Sequence, residues 1–163
     1  SLVDFKRAVG PELEAAWSGT VANPAARLET IFRTNVQTAY AAGHAEQRDN
    51  PIIRKRRPYN QYRAVADART SDICRPLDGT VRPADDPWWA SNSPPRHFNC
   101  RCRIVPLTKE QADEEGITES TEHLPSAQEG FGVKPSLAGW TPEKAGYSPA
   151  LWAQVEAKIG KSP

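Results

Sequence analysis

Residues 67–106 read DARTSDICRPLDGTVRPADDPWWASNSPPRHFNCRCRIVP and hold every cysteine of the chain. Cys74 lies near the start of this stretch, and the cluster His97-x-x-Cys100-x-Cys102 lies near its end. The segment between them is polar and rich in proline. Because side chains that can bind a soft metal occupy both ends, we interpret residues 67–106 as a clasp that closes a small domain.

The four side chains of the clasp match a tetrahedral structural zinc site in number and type: Cys74, His97, Cys100 and Cys102. A Cys-x-Cys pair is less usual than Cys-x-x-Cys, because two donors two residues apart must both turn toward one ion. With four positions filled, the zinc would be structural and would leave no place for substrate. The alternative is a metal-free clasp, with Cys74 a small core residue and Cys100 or Cys102 buried under Trp88.

Catalysis is weakly supported by the same residues. His97 could activate a cysteine, but no pattern identifies the nucleophile or a third residue that would orient the histidine. The chain contains no G-x-S-x-G, H-E-x-x-H or phosphate-binding glycine loop. We expect Asp67 and Arg69 to pair and brace the turn at Thr70, which is a structural role. The sequence therefore predicts no enzyme activity.

Length and composition point to one modest domain. A chain of 163 residues fits one domain or one domain with extended arms, and 38% hydrophobic residues with 15 prolines predict a small core and many loops. The net charge of +1 excludes a chain that is basic as a whole. Any affinity for nucleic acid must come from a local patch.

The cysteine count favours a reducing compartment. Three cysteines cannot all pair within one chain, and Cys100 and Cys102 are too close for an easy disulfide. No apolar run approaches the roughly 20 residues that a membrane-spanning helix needs, and no signal peptide is visible. The sequence has no Met, so we expect it to be a piece of a longer protein or a processed product.

The N-terminal part is helical by its spacing of apolar residues. Residues 2–18 predict a helix interrupted at Gly10-Pro11, with Pro11 opening a second short helix. Asn23 is a good N-cap, and it predicts a long helix from Pro24 to Arg48.

Two short strands and a turn follow. Residues 62–67 alternate weakly and predict a strand. Residues 77–81 predict a hairpin in which Asp78-Gly79 supplies the positive φ angles, and residues 103–106 predict a second strand beside the first. Helices packed on a small antiparallel sheet give an α+β fold class.

A basic run follows the predicted long helix. Arg54, Lys55, Arg56 and Arg57 lie in a region, residues 44–70, with seven Lys or Arg against three Asp or Glu. Such a run could bind the phosphates of DNA, in which case affinity would fall with salt. The alternative is a solvated loop.

The C-terminal part, residues 108–163, is predicted to be separate from the domain of residues 1–107. Residues 108–129 carry seven acidic residues and one basic residue, and Thr108 to Gln111 resembles a capping box for a short helix that ends at Gly116. Residues 130–146 predict an extended arm anchored by Phe131 and Trp140. Residues 148–160 predict a final helix.

Several motifs together resemble one known family, the phage Mu F-like minor head proteins, over roughly residues 24–107. The motifs are Arg33-Thr34-Asn35 and Ala39-Tyr40-Ala41-Ala42-Gly43 in the long helix, Asp67-x-Arg69-Thr70-x-x-x-Cys74-x-x-Leu77-x-Gly79, and Pro94-Pro95-x-His97-x-x-Cys100-Arg101-Cys102.

The resemblance implies a structural role in a virion rather than an enzyme. Members of the family are minor capsid components that act in head assembly and associate with the portal, and some touch packaged DNA. It implies assembly in the bacterial cytoplasm, with portal or major capsid protein as partner, possible DNA contact, and neither a membrane nor a small-molecule substrate. Many members carry a further cysteine where this chain has Ser71, so the resemblance leaves a zinc site open.

A second function stays open beside the virion role. A basic run followed by a Cys/His cluster is also the pattern of a small zinc-stabilised DNA-binding or nuclease module.

Overall fold

The structure, a computed structural model, describes residues 1–136 together with Pro149, Trp152, Ala153 and Glu156. Its elements confirm the α+β fold class. The helices are α1 (Leu2–Ala16), α2 (Pro24–Asp49), α3 (Pro51–Arg56), α4 (Trp89–Asn92) and α5 (Lys109–Glu115), and the strands are β1 (Tyr59–Arg63), β2 (Val81–Pro83) and β3 (Arg103–Leu107).

The chain forms two compact units, residues 1–28 with 138–163 and residues 29–137. The predicted division into residues 1–107 and 108–163 stays a prediction. Among the described residues, no helix has the length and apolar character needed to span a membrane.

In the first unit, α1 is one continuous helix, so the predicted break at Gly10-Pro11 is wrong. A proline ring usually clashes with the Cβ of the residue before it, which disfavours helix there. Gly10 has no Cβ, so the helix continues through Pro11. Gly10 is buried, and a Cβ built on it would lie 3.5 Å from the side chain of Leu28. Ser1 caps the helix through a capping box with Asp4.

The long helix α2 confirms the prediction to within one residue at its C-terminal end. The side chain of Asn23 accepts a hydrogen bond from the Ala26 N–H at 3.0 Å, as expected of an N-cap. Asn50 ends α2 and caps α3 by accepting from the Ile52 N–H at 2.9 Å. The basic run therefore lies at the end of a short helix, and its interpretation as a loop is wrong.

The sheet has the strand order β2-β1-β3, and both pairs are antiparallel. The central strand spans Tyr59–Arg63 and not the predicted residues 62–67. It ends at Arg63 because the next N–H, of Ala64, donates to the carboxylate of Asp78 at 2.8 Å instead of to a neighbouring strand. The second predicted strand is confirmed as β3, which pairs with β1.

Residues 77–80 form a turn, but it is not of the type predicted for Asp78-Gly79. The Thr80 N–H donates to the Leu77 carbonyl at 3.0 Å, and only Gly79 has a positive φ, of 83°. Asp78, with φ −58° and ψ 131°, completes a type II β-turn, which needs one positive φ and not two. The turn follows a short 3-10 helix, Arg75–Leu77, and leads into β2.

One core packs the clasp against the sheet. Its buried members are Tyr62, Cys74, Leu77, Trp89, Cys100, Cys102 and Ile104. A smaller cluster of Val81, Leu107 and Ala112 joins α5 to the other end of the sheet. The capping box of α5 and its end at Gly116, which has a φ of 88°, are as predicted.

The chain after α5 returns along the clasp. The N–H of Gly132 donates to the Pro95 carbonyl at 3.0 Å, and Phe131 packs edge-to-face on Phe98 with ring centroids 4.9 Å apart. This contact anchors the start of the predicted arm. The rest of the arm and the final helix at residues 148–160 lie outside the described residues, apart from four positions that have helical backbone.

Candidate metal centre

Three of the four predicted ligands lie together in the core. The sulfur atoms of Cys74, Cys100 and Cys102 are all within 4.8 Å of one another, and all three side chains are buried. The Cys74 and Cys100 sulfurs are 3.9 Å apart. Zinc–sulfur bonds of about 2.3 Å in a tetrahedron place sulfurs just under about 4 Å apart, so the trio is close to the spacing that one zinc ion needs. The three cysteines could hold a metal ion.

The backbone explains how a Cys-x-Cys pair turns two sulfurs the same way. Residues 100–102 lead directly into β3, and in extended chain the side chains of residues i and i+2 lie on one face. Cys100 and Cys102 thus point into the core, while Arg101 points outward to Asp67. Before the pair, Asn99 has a φ of 57°, a left-handed conformation that asparagine tolerates, and it turns the chain inward.

The thiols share their protons unequally. Hydrogen bonds from Cys102 and Cys74 hold the pKa of Cys100 well below its usual value. Hydrogen bonding to Cys100 raises the pKa of Cys102 and of Cys74. Backbone N–H groups of Arg96 and Cys102 also donate to the Cys100 sulfur, which further favours its thiolate. Of the three sulfurs, Cys100 is therefore the one whose thiolate form its surroundings favour most.

Tyr62 closes the trio from the sheet. Its hydroxyl donates to the Cys74 sulfur at 3.2 Å, and burial raises the pKa of Tyr62 far above its usual value. The tyrosine is therefore a permanent donor at neutral pH. Sequence reasoning missed this residue, because Tyr62 precedes the clasp and only the sheet brings it there.

His97, the fourth predicted ligand, lies beside the trio and contacts Ser71. Its Nε2 is 2.8 Å from the Ser71 hydroxyl oxygen, and its Nδ1 is 2.7 Å from the Phe98 carbonyl oxygen. A carbonyl only accepts, so Nδ1 carries the proton and Nε2 accepts from the serine. Ser71 and His97 line a small cavity of about 10 Å³ together with Cys74 and Cys102.

An ion pair braces the outside of the clasp. Arg101 donates to both carboxylate oxygens of Asp67, at 2.6 and 2.7 Å. Hydrogen bonding from Arg101 holds the pKa of Asp67 well below its usual range. The predicted partner Arg69 is 3.8 Å away, while its backbone N–H donates to Asp67 at 2.9 Å. The brace at Thr70 is real, but its main cation is Arg101.

Arg96 is a buried cation that the sequence did not single out. Its side chain has no exposed surface, and its guanidinium donates to the Asn92 side chain and to the Pro125 carbonyl. The Nε atom has no partner, and within residues 1–136 no carboxylate pairs with it. A buried cation with only neutral partners is costly unless an anion lies close by.

The basic run divides into one structural residue and three free ones. Arg57 donates to the Pro106 carbonyl at 3.0 Å and to the Gln111 side chain at 3.2 Å, so it holds α3 to β3 and α5. In the described part of the chain, the side chains of Arg54, Lys55 and Arg56 form no hydrogen bond or ion pair, and the latter two are exposed.

Comparison with known proteins places these features in context. The family described as Phage Mu protein F like protein matches residues 7–105. A Mu-like prophage FluMu F protein of Haemophilus influenzae is 41% identical over 96 residues, which cover 58% of this chain and 22% of that protein. The putative capsid assembly protein F of Escherichia phage Mu is 39% identical over 94 residues, which cover 58% of this chain and 21% of that protein. The chain thus spans about a fifth of the length of these relatives. No solved structure matches it.

Proposed function

The chain belongs to the Phage Mu protein F like family, and from that membership we propose that it is a structural component in the assembly of a phage or prophage head. The observation that carries the proposal is the family match over residues 7–105. This range contains the thiol trio, β1, β2, most of β3 and all of the clasp except Pro106. A relative that aligns with 58% of this chain is named for capsid assembly.

The proposed partner is the portal or the major capsid protein, and the proposed location is the virion, with assembly in the bacterial cytoplasm. The proposed role is non-enzymatic. All three cysteine side chains are buried, and the Tyr62 hydroxyl donates to the sulfur of Cys74. A nucleophilic cysteine would need to be partly exposed beside a base.

A test of the assembly role uses a Mu-like prophage that encodes this chain. An in-frame deletion of the chain's coding region is complemented with the wild-type sequence, and heads are purified by sedimentation. We expect the wild-type chain to sediment with the heads and to restore their number in electron micrographs. Normal heads in the deletion strain, with complemented chain left at the top of the gradient, would reject the proposal.

We further propose that the trio holds a structural zinc ion, with His97 as fourth ligand. The sulfur spacing fits, and the tautomer of His97 suits the role, because Nδ1–H bonded to a backbone carbonyl leaves the Nε2 lone pair for a metal. When bound, the ion would cross-link the Cys74 end of the clasp to the Cys100 end.

Elemental analysis of the purified chain tests the zinc proposal. We expect one zinc per wild-type chain, none in Cys100→Ser, and weaker retention against a chelator in His97→Gln. Ser71→Ala is the matched control, because it removes the present partner of His97 but no proposed ligand. Wild-type protein without zinc would end the zinc proposal and leave the assembly role untouched.

A second candidate function is contact with DNA through α3. The observation in its favour is the group of three cations, Arg54, Lys55 and Arg56, that have no ion pair in the described region. Fluorescence anisotropy with a labelled duplex should give a slope of log affinity against log salt of about −2.7, the value expected for three phosphate contacts. Replacing the three residues with glutamine should remove that slope. The nuclease alternative predicts cut DNA after incubation with divalent metals, and intact DNA would reject it.

A further inference from the structure

The outer edge of β3 faces a cavity of about 290 Å³ that lies between this strand and α2. The lining is mostly apolar, with Tyr40, Ala41, Pro94 and Pro135 contributing alongside Cys102 and residues 103–106 of the strand. An edge strand carries unpaired backbone groups, and these are a template for another strand unless something covers them.

The hydrogen bonds of β1 show which backbone groups of β3 face the cavity. The Tyr62 N–H donates to the Thr80 carbonyl at 2.8 Å, and the Tyr62 carbonyl accepts from the Gly79 N–H at 2.9 Å. Both groups of Tyr62 therefore point away from β3. Tyr62 lies opposite Ile104 in the antiparallel register, so this is a non-hydrogen-bonded pair. The N–H and C=O of Ile104 consequently point to the outer edge.

Among the described residues, the outward backbone groups of Cys102 and Pro106, on either side of Ile104, have hydrogen-bond partners, but those of Ile104 itself do not. The Cys102 carbonyl accepts from the Gln37 side chain at 3.0 Å. The Pro106 carbonyl accepts from Arg57 at 3.0 Å, and Pro106 has no N–H to satisfy. Within residues 1–136, the outward N–H and C=O of Ile104 have no partner. The edge thus presents one open donor and one open acceptor, as a pairing strand requires.

The cavity also carries positive charge without an acidic partner. Arg48 and Arg103 line it, and neither forms an ion pair or a side-chain hydrogen bond in the part of the chain that is described. The acidic neighbour of Arg48, Asp49, is engaged by Lys134. His44, whose ring is tilted against that of Tyr40 with centroids 4.3 Å apart, is a further lining residue. None of the described residues that line the cavity is Asp or Glu.

Arg48 is half-buried, and burial lowers its pKa. The guanidinium nevertheless stays charged at neutral pH, because arginine starts from a very high value. A desolvated cation that lacks a protein partner gains most from an anionic ligand.

We propose that an extended acidic peptide of a partner protein adds as a strand to the β3 edge at Ile104, with its carboxylates bound by Arg48 and Arg103. Strand addition uses main-chain hydrogen bonds for affinity and neighbouring pockets for specificity, and this edge offers both. Nucleic acid is disfavoured, because the open backbone pair and the apolar lining suit a peptide and offer little to a phosphate chain. The proposal goes beyond head assembly and does not depend on it.

Selection from a displayed library of short random peptides against the full chain tests the proposal. We expect the selected peptides to be rich in Asp or Glu, interleaved with apolar residues. Arg48→Gln should weaken the best peptide about tenfold, the size expected for losing a charge-assisted bond. Arg48→Lys should weaken it less. Arg56→Gln is the matched control on α3, outside the cavity, and should leave the affinity unchanged.

Amide hydrogen exchange then locates the peptide. Bound peptide should slow exchange at Ile104, and methylating the peptide nitrogen that pairs there should abolish binding. The proposal is overturned if no peptide is selected, if Arg48→Gln binds like wild type, or if Ile104 exchange does not change. It is also overturned if a duplex oligonucleotide displaces the peptide from wild type but not from Arg56→Gln, since the anion would then bind at α3. Circular dichroism should show that Arg48→Gln folds normally, because Arg48 has no described partner in the fold.

Discussion

The sulfur and the backbone carbonyl of Cys102 lie in two regions of the molecule. These regions differ in how many of their hydrogen-bonding groups have a partner. The Cys102 sulfur lies in the buried thiol trio, where Cys74 accepts a hydrogen bond from the Tyr62 hydroxyl and lies 3.9 Å from the Cys100 sulfur. The Cys102 carbonyl lies on the outer edge of β3, where Gln37 occupies it but the next outward pair, at Ile104, is left open. Among the described residues, the polar groups of the first region contact one another, whereas the second leaves one donor and one acceptor open, where we propose that a partner binds. The contrast assigns stability to the thiol centre and recognition to the edge.

Replacing Cys100, a member of the thiol trio, should destabilise the fold more than any other substitution proposed below. Cys100→Ser replaces the sulfur that both other thiols contact, and it leaves a polar oxygen in a buried site. We expect the free energy of unfolding to fall by about 3 kcal/mol, the usual size for disrupting a buried cluster. Urea unfolding followed by tryptophan fluorescence measures it.

The matched control for that variant is Ala90→Ser, which adds a serine at an exposed position of α4 in the same region. It should unfold at the wild-type urea concentration. If Cys100→Ser also matched wild type, the trio would not be a stabilising centre, and the contrast with the edge would disappear.

Removing the Tyr62 hydroxyl, which contacts the thiol trio, should destabilise the fold less than replacing Cys100. Tyr62→Phe keeps the ring in the core but removes the donor to Cys74, which should cost about 1 kcal/mol. The same urea titration detects this loss. Tyr59→Phe, on the same strand and only half-buried, serves as control, and an equal loss in both variants would argue against a specific role for the Tyr62 hydroxyl.

The Asp67–Arg101 ion pair should make the stability of the fold depend on pH. The folded-state pKa of Asp67 lies below its unfolded value of about 3.9, so its carboxylate stabilises the fold above that pH. This contribution is lost as the pH falls through the folded pKa. The difference in melting temperature between wild type and Asp67→Asn should therefore be constant from about pH 5 to pH 7 and shrink below about pH 4.

Asp72→Asn is the control for that titration, because Asp72 is exposed and has no ion pair in the described part. A wild-type advantage over Asp67→Asn that persists unchanged at the lowest pH would contradict the assignment.

The smallest effect is expected at the edge itself. Gln37→Ala removes the donor to the Cys102 carbonyl, which should cost about 0.5 kcal/mol, since water can replace a half-buried bond. Amide hydrogen exchange should be faster in β3, while the backbone amides of Cys74, Cys100 and Cys102 should exchange as slowly as in the wild type. Gln47→Ala, exposed on α2, should change neither. Loss of protection at the trio would show that edge and centre are one cooperative unit.

Local sequence patterns predicted the elements whose causes are local. Asn23 as N-cap and the capping box at Thr108 gave the starts of α2 and α5, and the resemblance from short motifs gave the family. Of two predictions that were wrong, one has a nonlocal cause and the other a local cause. The end of β1 depends on the Asp78 carboxylate fourteen positions along the chain. The continuity of α1 depends on the glycine before Pro11, which the general rule that proline interrupts a helix does not consider.

The sequence alone determined which side chains could form the centre, because Cys74, Cys100 and Cys102 are the only cysteines and the extended Cys-x-Cys spacing puts two on one face. Tertiary structure decided the rest. It brought Tyr62 onto Cys74 and Arg101 onto Asp67, and it left His97 on Ser71. It also turned Ile104 toward an open edge beside Arg48. These pairings join residues far apart along the chain, so only the packed sheet and helices fix which groups meet and which remain without a partner.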